Sequence, residues 1–261
     1  MPKVVFVMLD GVRPDAITPD ITPTLEALCR RGAYTMQARS VMPSVTLPCH
    51  TSIFHSVPPS RHGIVTNDWQ PMARPLPGLV DVAKEAGLRC GFIHNWEPLR
   101  NLNRPESLYF VYYLDNCYSD PLGDHEMARQ AVQAIDTHNL DFAFVYFGTV
   151  DVAGHRHGWM SEGYFEQLTR VDQALALLLD GLPDDTTLII QADHGGHERT
   201  HGTDMDDDML IPWMITGPGI RQNYAIQSAV SLLDTAPTIA HLLGLTPHRD
   251  WEGRFVEEVM A

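Results

Sequence analysis

Positive charge is scarce in this chain. Its 261 residues hold 18 Lys and Arg against 33 Asp and Glu, a formal net charge of −15. That field repels polyanions, which argues against binding a nucleic-acid polymer through phosphate neutralisation. An anionic small molecule would need local positive charge, and bound metal ions supply it. Cysteine is also sparse. Cys29, Cys49, Cys90 and Cys117 show no Cys-x-x-Cys spacing and imply no disulfide framework in a chain of this size. No apolar run approaches the length of a membrane span. The run Val4 to Leu9 holds six apolar residues before Asp10, too few for the core of a signal peptide. The expectation is a soluble cytoplasmic protein without a membrane partner. No internal repeat, low-complexity stretch or linker divides the chain, so residues 1–261 read as one domain.

What the chain does have is buried strands that end abruptly in polar residues. With 44% hydrophobic residues a full core is within reach. Val4 to Leu9, Asp141 to Phe147 and Thr187 to Ala192 are near-continuous apolar runs, the mark of strands covered on both faces. Cys90 to His94, Tyr34 to Val41 and Ile211 to Thr216 read as further strands. Helices are expected at 22–33, 47–55, 78–86, 124–138, 162–179 and 231–243, several closed by glycine. The alternation predicts an α/β fold: a mainly parallel central sheet with helices on both faces. Residues 95–121 lack a clear period and are rich in aromatics. They are either a small cap or rim, or a packed excursion.

Ligands of such sheets sit beyond the carboxyl ends of the strands. Four polar clusters fall there. Asp193-His194-Gly195-Gly196 follows the 187–192 run, with His201-Gly202 close behind. Asp151 and His155 follow the 141–147 run, four residues apart. They share one ion if the backbone makes a helical turn between them. Asp10-Gly11 follows the first run. Thr46 falls at an expected helix start, where free N–H groups favour a phosphate. Carboxylate and neutral imidazole together suit zinc or manganese.

Taken in order, these clusters resemble the alkaline phosphatase superfamily, in its nucleotide pyrophosphatase/phosphodiesterase branch. The marks are Met8-Leu9-Asp10-Gly11, Pro43-Ser44-Val45-Thr46-Leu47-Pro48 with His50, and His62-Gly63-Ile64 with Asn67. Asp151…Gly154-His155, Asp193-His194-Gly195, His201-Gly202-Thr203-Asp204 and Gly217-Pro218-Gly219-Ile220 complete the series. The resemblance implies an alkaline phosphatase-like fold and two divalent metal ions, zinc or alternatively manganese. One would be held by Asp151, His155 and His201, the other by Asp10, Asp193 and His194. Thr46 would be the nucleophile between them, its hydroxyl itself meeting metal. Asn67 would hydrogen-bond a phosphoryl oxygen. His197 competes with His201 as third histidine, and the following Gly-x-Asp favours His201.

The implied function is a metal-dependent phosphodiesterase or pyrophosphatase acting on small, nucleotide-like phosphate esters through a phosphothreonine. A phosphomonoesterase or phosphonoacetate hydrolase-like enzyme using the same site is the alternative. A catalytically silent metal-binding protein is the reading from another class. The diester reading is favoured because no Arg or Lys lies between Val41 and Ser60 to grip a monoester dianion, unless Arg61, Arg74, Arg100 or Arg104 folds back. No Cys-x-Pro-x-Arg surrounds Thr46 as in a sulfatase, and no Gly-x-Ser-x-Gly suggests a serine hydrolase.

Overall fold

In the computed structural model, residues 3–72 and 74–261 are described. In chain order the elements are β1 (Lys3–Leu9), α1 (Pro23–Arg31), β2 (Ala33–Arg39), α2 (Thr46–His55), α3 (Pro59–His62), α4 (Leu79–Glu85), β3 (Cys90–His94) and β4 (Phe110–Tyr113). Then come α5 (Gly123–His138), β5 (Phe142–Phe147), α6 (Thr149–His157), α7 (Glu162–Gly181), β6 (Thr186–Gln191), α8 (Asp206–Met209), β7 (Leu210–Thr216), β8 (Tyr224–Ala225) and α9 (Thr235–Leu242).

One eight-stranded sheet runs in the order β4-β3-β5-β1-β6-β7-β2-β8. The expected mainly parallel sheet is present, with one departure. β7 runs antiparallel to both neighbours, β6 and β2. Its apolar sequence carries no sign of direction, so chain pattern alone does not reveal this. The three strands read as fully buried are side by side at the centre: β1 pairs in parallel with β5 on one side and β6 on the other. Every residue of β5 and β6 is buried. Because these strands are parallel neighbours, their carboxyl ends open on one edge.

Residues 95–121 contribute to the same sheet. β4 pairs with β3 at the edge, and Trp96, Leu99, Leu102 and Cys117 join the main core. The helix expected at 231–243 is shorter as an α-helix: a 3₁₀ turn at Leu232–Asp234 precedes α9, and the chain leaves at Gly244 with φ +70°. A helix that the strand-end reading left open, α6, starts directly after β5.

α2 is buried along its whole length. Its Phe54 packs on Phe144 edge-on at 5.0 Å, on Phe92 at 5.0 Å and on Phe6 at 6.2 Å, so three strands grip one helix. Such aromatic contacts each add roughly 0.5–1.5 kcal/mol beyond area burial. The packing fixes where the first residue of α2, Thr46, can sit. Among the described residues no helix is long and apolar enough to cross a membrane.

Candidate active site

The ends of β1, β5 and β6 bring three segments together. Asp10 follows β1 directly. Asp151 lies in the first turn of α6, and His155 stands one turn later on the same face. Asp193 and His194 follow β6. Each of these residues lies where a strand stops and alternation of faces lapses, so neighbouring side chains turn to one point. Gly11, at φ +72°, makes the turn after β1, and a Cβ there would meet the Asp151 backbone at 3.0 Å.

Asp151, His155 and His201 form one compact group, and Asp10, Asp151 and His194 a second. Asp151 therefore stands between the two groups rather than in one alone. Asp193 Oδ2 lies 3.4 Å from His194 Nε2, and Asp10 Oδ1 lies 3.3 Å from the same atom. His155 Nε2 and His201 Nε2 lie 3.5 and 3.6 Å from Asp151 Oδ1. The rings of His194 and His201 stack at 3.8 Å. His197 is not among them. Its Nδ1 pairs with Asp208 at 2.7 Å, and Asp208 also accepts from Thr203, which braces the loop that carries His201.

The three histidines share one hydrogen-bond pattern. Nδ1 of His194 donates to the Gly195 carbonyl at 2.8 Å, that of His155 to Arg199 at 2.9 Å, and that of His201 to Ser44 at 2.8 Å. Each bond selects the tautomer that leaves Nε2 a bare acceptor aimed at the carboxylates. Burial holds His194 and His201 down to about 4, so both rings are neutral at pH 7. The carboxylates move the other way. Asp10, Asp151 and Asp193 are all pushed up by burial, Asp10 and Asp193 additionally by repulsion from Asp151, and Asp193 reaches about 8. Asp10 Oδ1, Asp151 Oδ1 and Asp193 Oδ2 are buried and have no hydrogen-bond partner. Buried carboxyl oxygens without partners, beside bare imidazole nitrogens, form a donor set that fits divalent cations, which would take the place of the protons that burial holds there.

Thr46 opens α2, and its Oγ1 is 3.2 Å from His194 Nε2. The N–H of Leu47 donates to Asn67 Oδ1 at 2.9 Å. Asn67 thus caps the helix start with its carbonyl oxygen and keeps Nδ2 as a donor. Thr46 and Asn67 line a cavity of about 80 Å³ with Asp10, Asp151, His155 and His201. Among the described residues no Lys or Arg lines it. Arg61 pairs with Glu252, Arg100 with Glu97, and Arg104 approaches Asp81.

Several residues at the site have roles that the sequence did not assign. Tyr146 donates its hydroxyl to Asp10 Oδ2; a tyrosine inside an otherwise apolar buried strand is a local oddity, but nothing nearby in sequence names its partner. Asp124 is fully buried and accepts from Asn95 Nδ2, from the N–H groups of Gly148 and Thr149 and from the Thr149 hydroxyl, clamping the start of α6. Nothing in its helix-start sequence context marks it. Trp159 wedges against Gly154 of α6 and against Gly196, where any Cβ would collide with the indole at 2.6 and 2.2 Å. Its Nε1 donates to the Gly11 carbonyl at 2.8 Å.

This fold is alkaline phosphatase-like. A structure of the alkaline phosphatase PafA superposes with a TM-score of 0.84 at 13% identity, with all of both chains covered. The family can also be stated: residues 4–210 match type I phosphodiesterase / nucleotide pyrophosphatase, and the chain belongs to that family. It is similar to mouse ectonucleotide pyrophosphatase/phosphodiesterase family member 1, 26% identical over 217 residues that make up 74% of this chain and 24% of that protein. It is also similar to phosphopentomutase from Carboxydothermus hydrogenoformans, 32% identical over 111 residues, 42% of this chain and 26% of the relative. The matches thus span about a quarter of each of these relatives.

Proposed function

We propose that the protein is a metal-dependent hydrolase of phosphodiester or pyrophosphate bonds in small, nucleotide-like esters, with Thr46 as nucleophile. The observation that carries this reading is the convergence of three partnerless buried carboxylate oxygens on bare Nε2 atoms, with the Thr46 hydroxyl 3.2 Å from one of them. Asp151, His155 and His201 would hold one ion, and Asp10, Asp193 and His194 the other, with Asp151 near both. When bound, divalent ions such as zinc or manganese supply Lewis-acid activation of the hydroxyl and neutralise the leaving oxygen.

The chain's own residues do the rest. Phe54 and its aromatic neighbours anchor α2, which presents Thr46 in a fixed position for in-line attack. The resulting ester is a phosphothreonine, which water then cleaves. Asn67 Nδ2 offers a neutral donor to a phosphoryl oxygen. Tyr146 holds Asp10 by hydrogen bond. A neutral donor and a cavity without Lys or Arg suit a singly charged diester better than a monoester dianion.

The deciding experiment is a panel of phosphodiesters, monoesters, phosphonates and sulfates on protein stripped of metal and then reloaded. The reading expects diester turnover that chelation abolishes and zinc or manganese restores. Full diester turnover in protein shown by elemental analysis to be metal-free would refute it.

A further inference from the structure

α6 has two faces at work. Asp151 and His155 turn to the carboxylate cluster. Thr149, Val152, Ala153 and Arg156, at helical spacing, line a second cavity of about 170 Å³. The two cavities share Cys117, Tyr118 and Val152 as a common wall. The charged groups of the second cavity are engaged with one exception. Arg170 is held by Gln167 at 3.1 Å and faces Glu166 at 3.7 Å, and Asp120 accepts from the Leu122 N–H at 2.9 Å. Arg156 is exposed and, among the described residues, has no carboxylate partner. Its guanidinium makes one hydrogen bond, to the Tyr118 carbonyl at 3.3 Å. In a chain with a net charge of −15, a free guanidinium beside the candidate active cavity is a selective feature.

The position of Thr46 gives that feature a direction. Its hydroxyl lies against His194, on the side of Asp10 and Asp193. In-line displacement sends the leaving oxygen to the opposite side, towards Asp151 and His155 on α6. A leaving group longer than one phosphate continues over the wall made by Val152 and Tyr118. We propose that the second cavity is the subsite for an anionic leaving group, a pyrophosphate or terminal phosphate, and that Arg156 is its cationic anchor. This rests on the phosphohydrolase reading above. The bond that forms joins Thr46 Oγ1 to phosphorus as the bond from phosphorus to the pyrophosphate oxygen breaks. Pyrophosphate leaves with the electron pair, and the hydroxyl proton passes to solvent. Water then cleaves the phosphothreonine and releases the nucleoside monophosphate.

The test compares two substrates with the same nucleoside on the metal-loaded protein. One is a nucleoside triphosphate, which releases pyrophosphate. The other is the p-nitrophenyl ester of the matching monophosphate, whose leaving group carries no phosphate. In R156Q the ratio of kcat/KM, triphosphate over ester, should fall roughly tenfold, as expected for loss of a charge-assisted contact, and R156K should restore part of it. Inorganic pyrophosphate should also inhibit ester hydrolysis roughly tenfold less well in R156Q. An unchanged ratio with unchanged inhibition overturns the subsite. If the native protein turns over neither substrate, the phosphohydrolase reading fails by itself. Calorimetric binding of pyrophosphate then judges the subsite, and equal affinity for native and R156Q protein overturns it.

Discussion

Stripped of metal, the protein should lose stability as pH rises from 7 to 9. The cause is Asp193. Unfolded, its carboxyl titrates near 3.8 and is ionised throughout this range; folded, burial and the nearby Asp151 push it up to about 8. A folded-state pKa raised above the unfolded one contributes stability while the proton stays on, and that stability is lost as pH passes through the folded value. For a single group titrating at about 8, linkage gives a loss of roughly 1 kcal/mol between pH 7 and pH 9. With an unfolding entropy of about 0.55 kcal/mol/K for a chain of this length, that is about 2 °C in Tm. The assay is thermal unfolding of chelator-treated protein at both pH values, beside Asp193→Asn. The asparagine keeps the Oδ1 that accepts from Gly11 and His194, and its Nδ2 faces the bare Nε2 of His194. Its Tm should therefore fall less with pH. Adding zinc should flatten or invert the native slope, because metal and protons compete for the same oxygens. Metal-free native protein as stable at pH 9 as at pH 7, or an equal slope in Asp193→Asn, would refute the reasoning.

Thr46→Ala should keep the fold and most metal binding yet lose turnover by several orders of magnitude, with Thr46→Ser retaining part; near-native turnover in the alanine variant excludes covalent catalysis by this residue. The diester preference is checked by kcat/KM for bis-p-nitrophenyl phosphate against p-nitrophenyl phosphate, and a monoester advantage of about tenfold or more would contradict the lack of Lys and Arg in the cavity. Asp124→Ala strands the donors of Asn95, Gly148 and Thr149, and should cost about 3–4 kcal/mol by denaturant unfolding at roughly 1 kcal/mol or more per stranded donor. Phe54→Ala should cost about 3–5 kcal/mol, and a loss under about 1 kcal/mol would show that α2 is not held by the aromatic cluster.

The central strands were legible because they are buried on both faces and therefore apolar throughout. Their ends were legible because glycine and charge follow at once. That is why Asp10, Asp151, Asp193 and His194 point to one edge in sequence and in structure alike. Asp151 and His155 are brought onto one face by α6, as their spacing of four anticipated. The direction of β7 was not legible, since an apolar strand looks the same either way. β4 and β8 are short and half-exposed, and so leave little periodicity to read. Asp124 and Tyr146 act across the fold, 24 and 136 residues from the groups they hold, and no local pattern reports such contacts.

Trp159 touches two turns and one helix, which follow three different strands. It bonds the Gly11 carbonyl, packs on Gly154 and packs on Gly196, while its ring stands 5.1 Å from His155 and 5.8 Å from His201, nearly edge-on to the first. The chain thereby carries an optical reporter beside its own Asp/His cluster. Indole emission is sensitive to the charge and rigidity of adjacent imidazoles, so loading or stripping of the site should register as a change in Trp159 fluorescence without any added label. The remaining tryptophans, Trp69, Trp96, Trp213 and Trp251, set the background, and Trp159→Phe identifies the share that belongs to the site. The same wedge means that the three segments are calibrated against a single side chain, so a shift in any one of them is felt, and seen, by all.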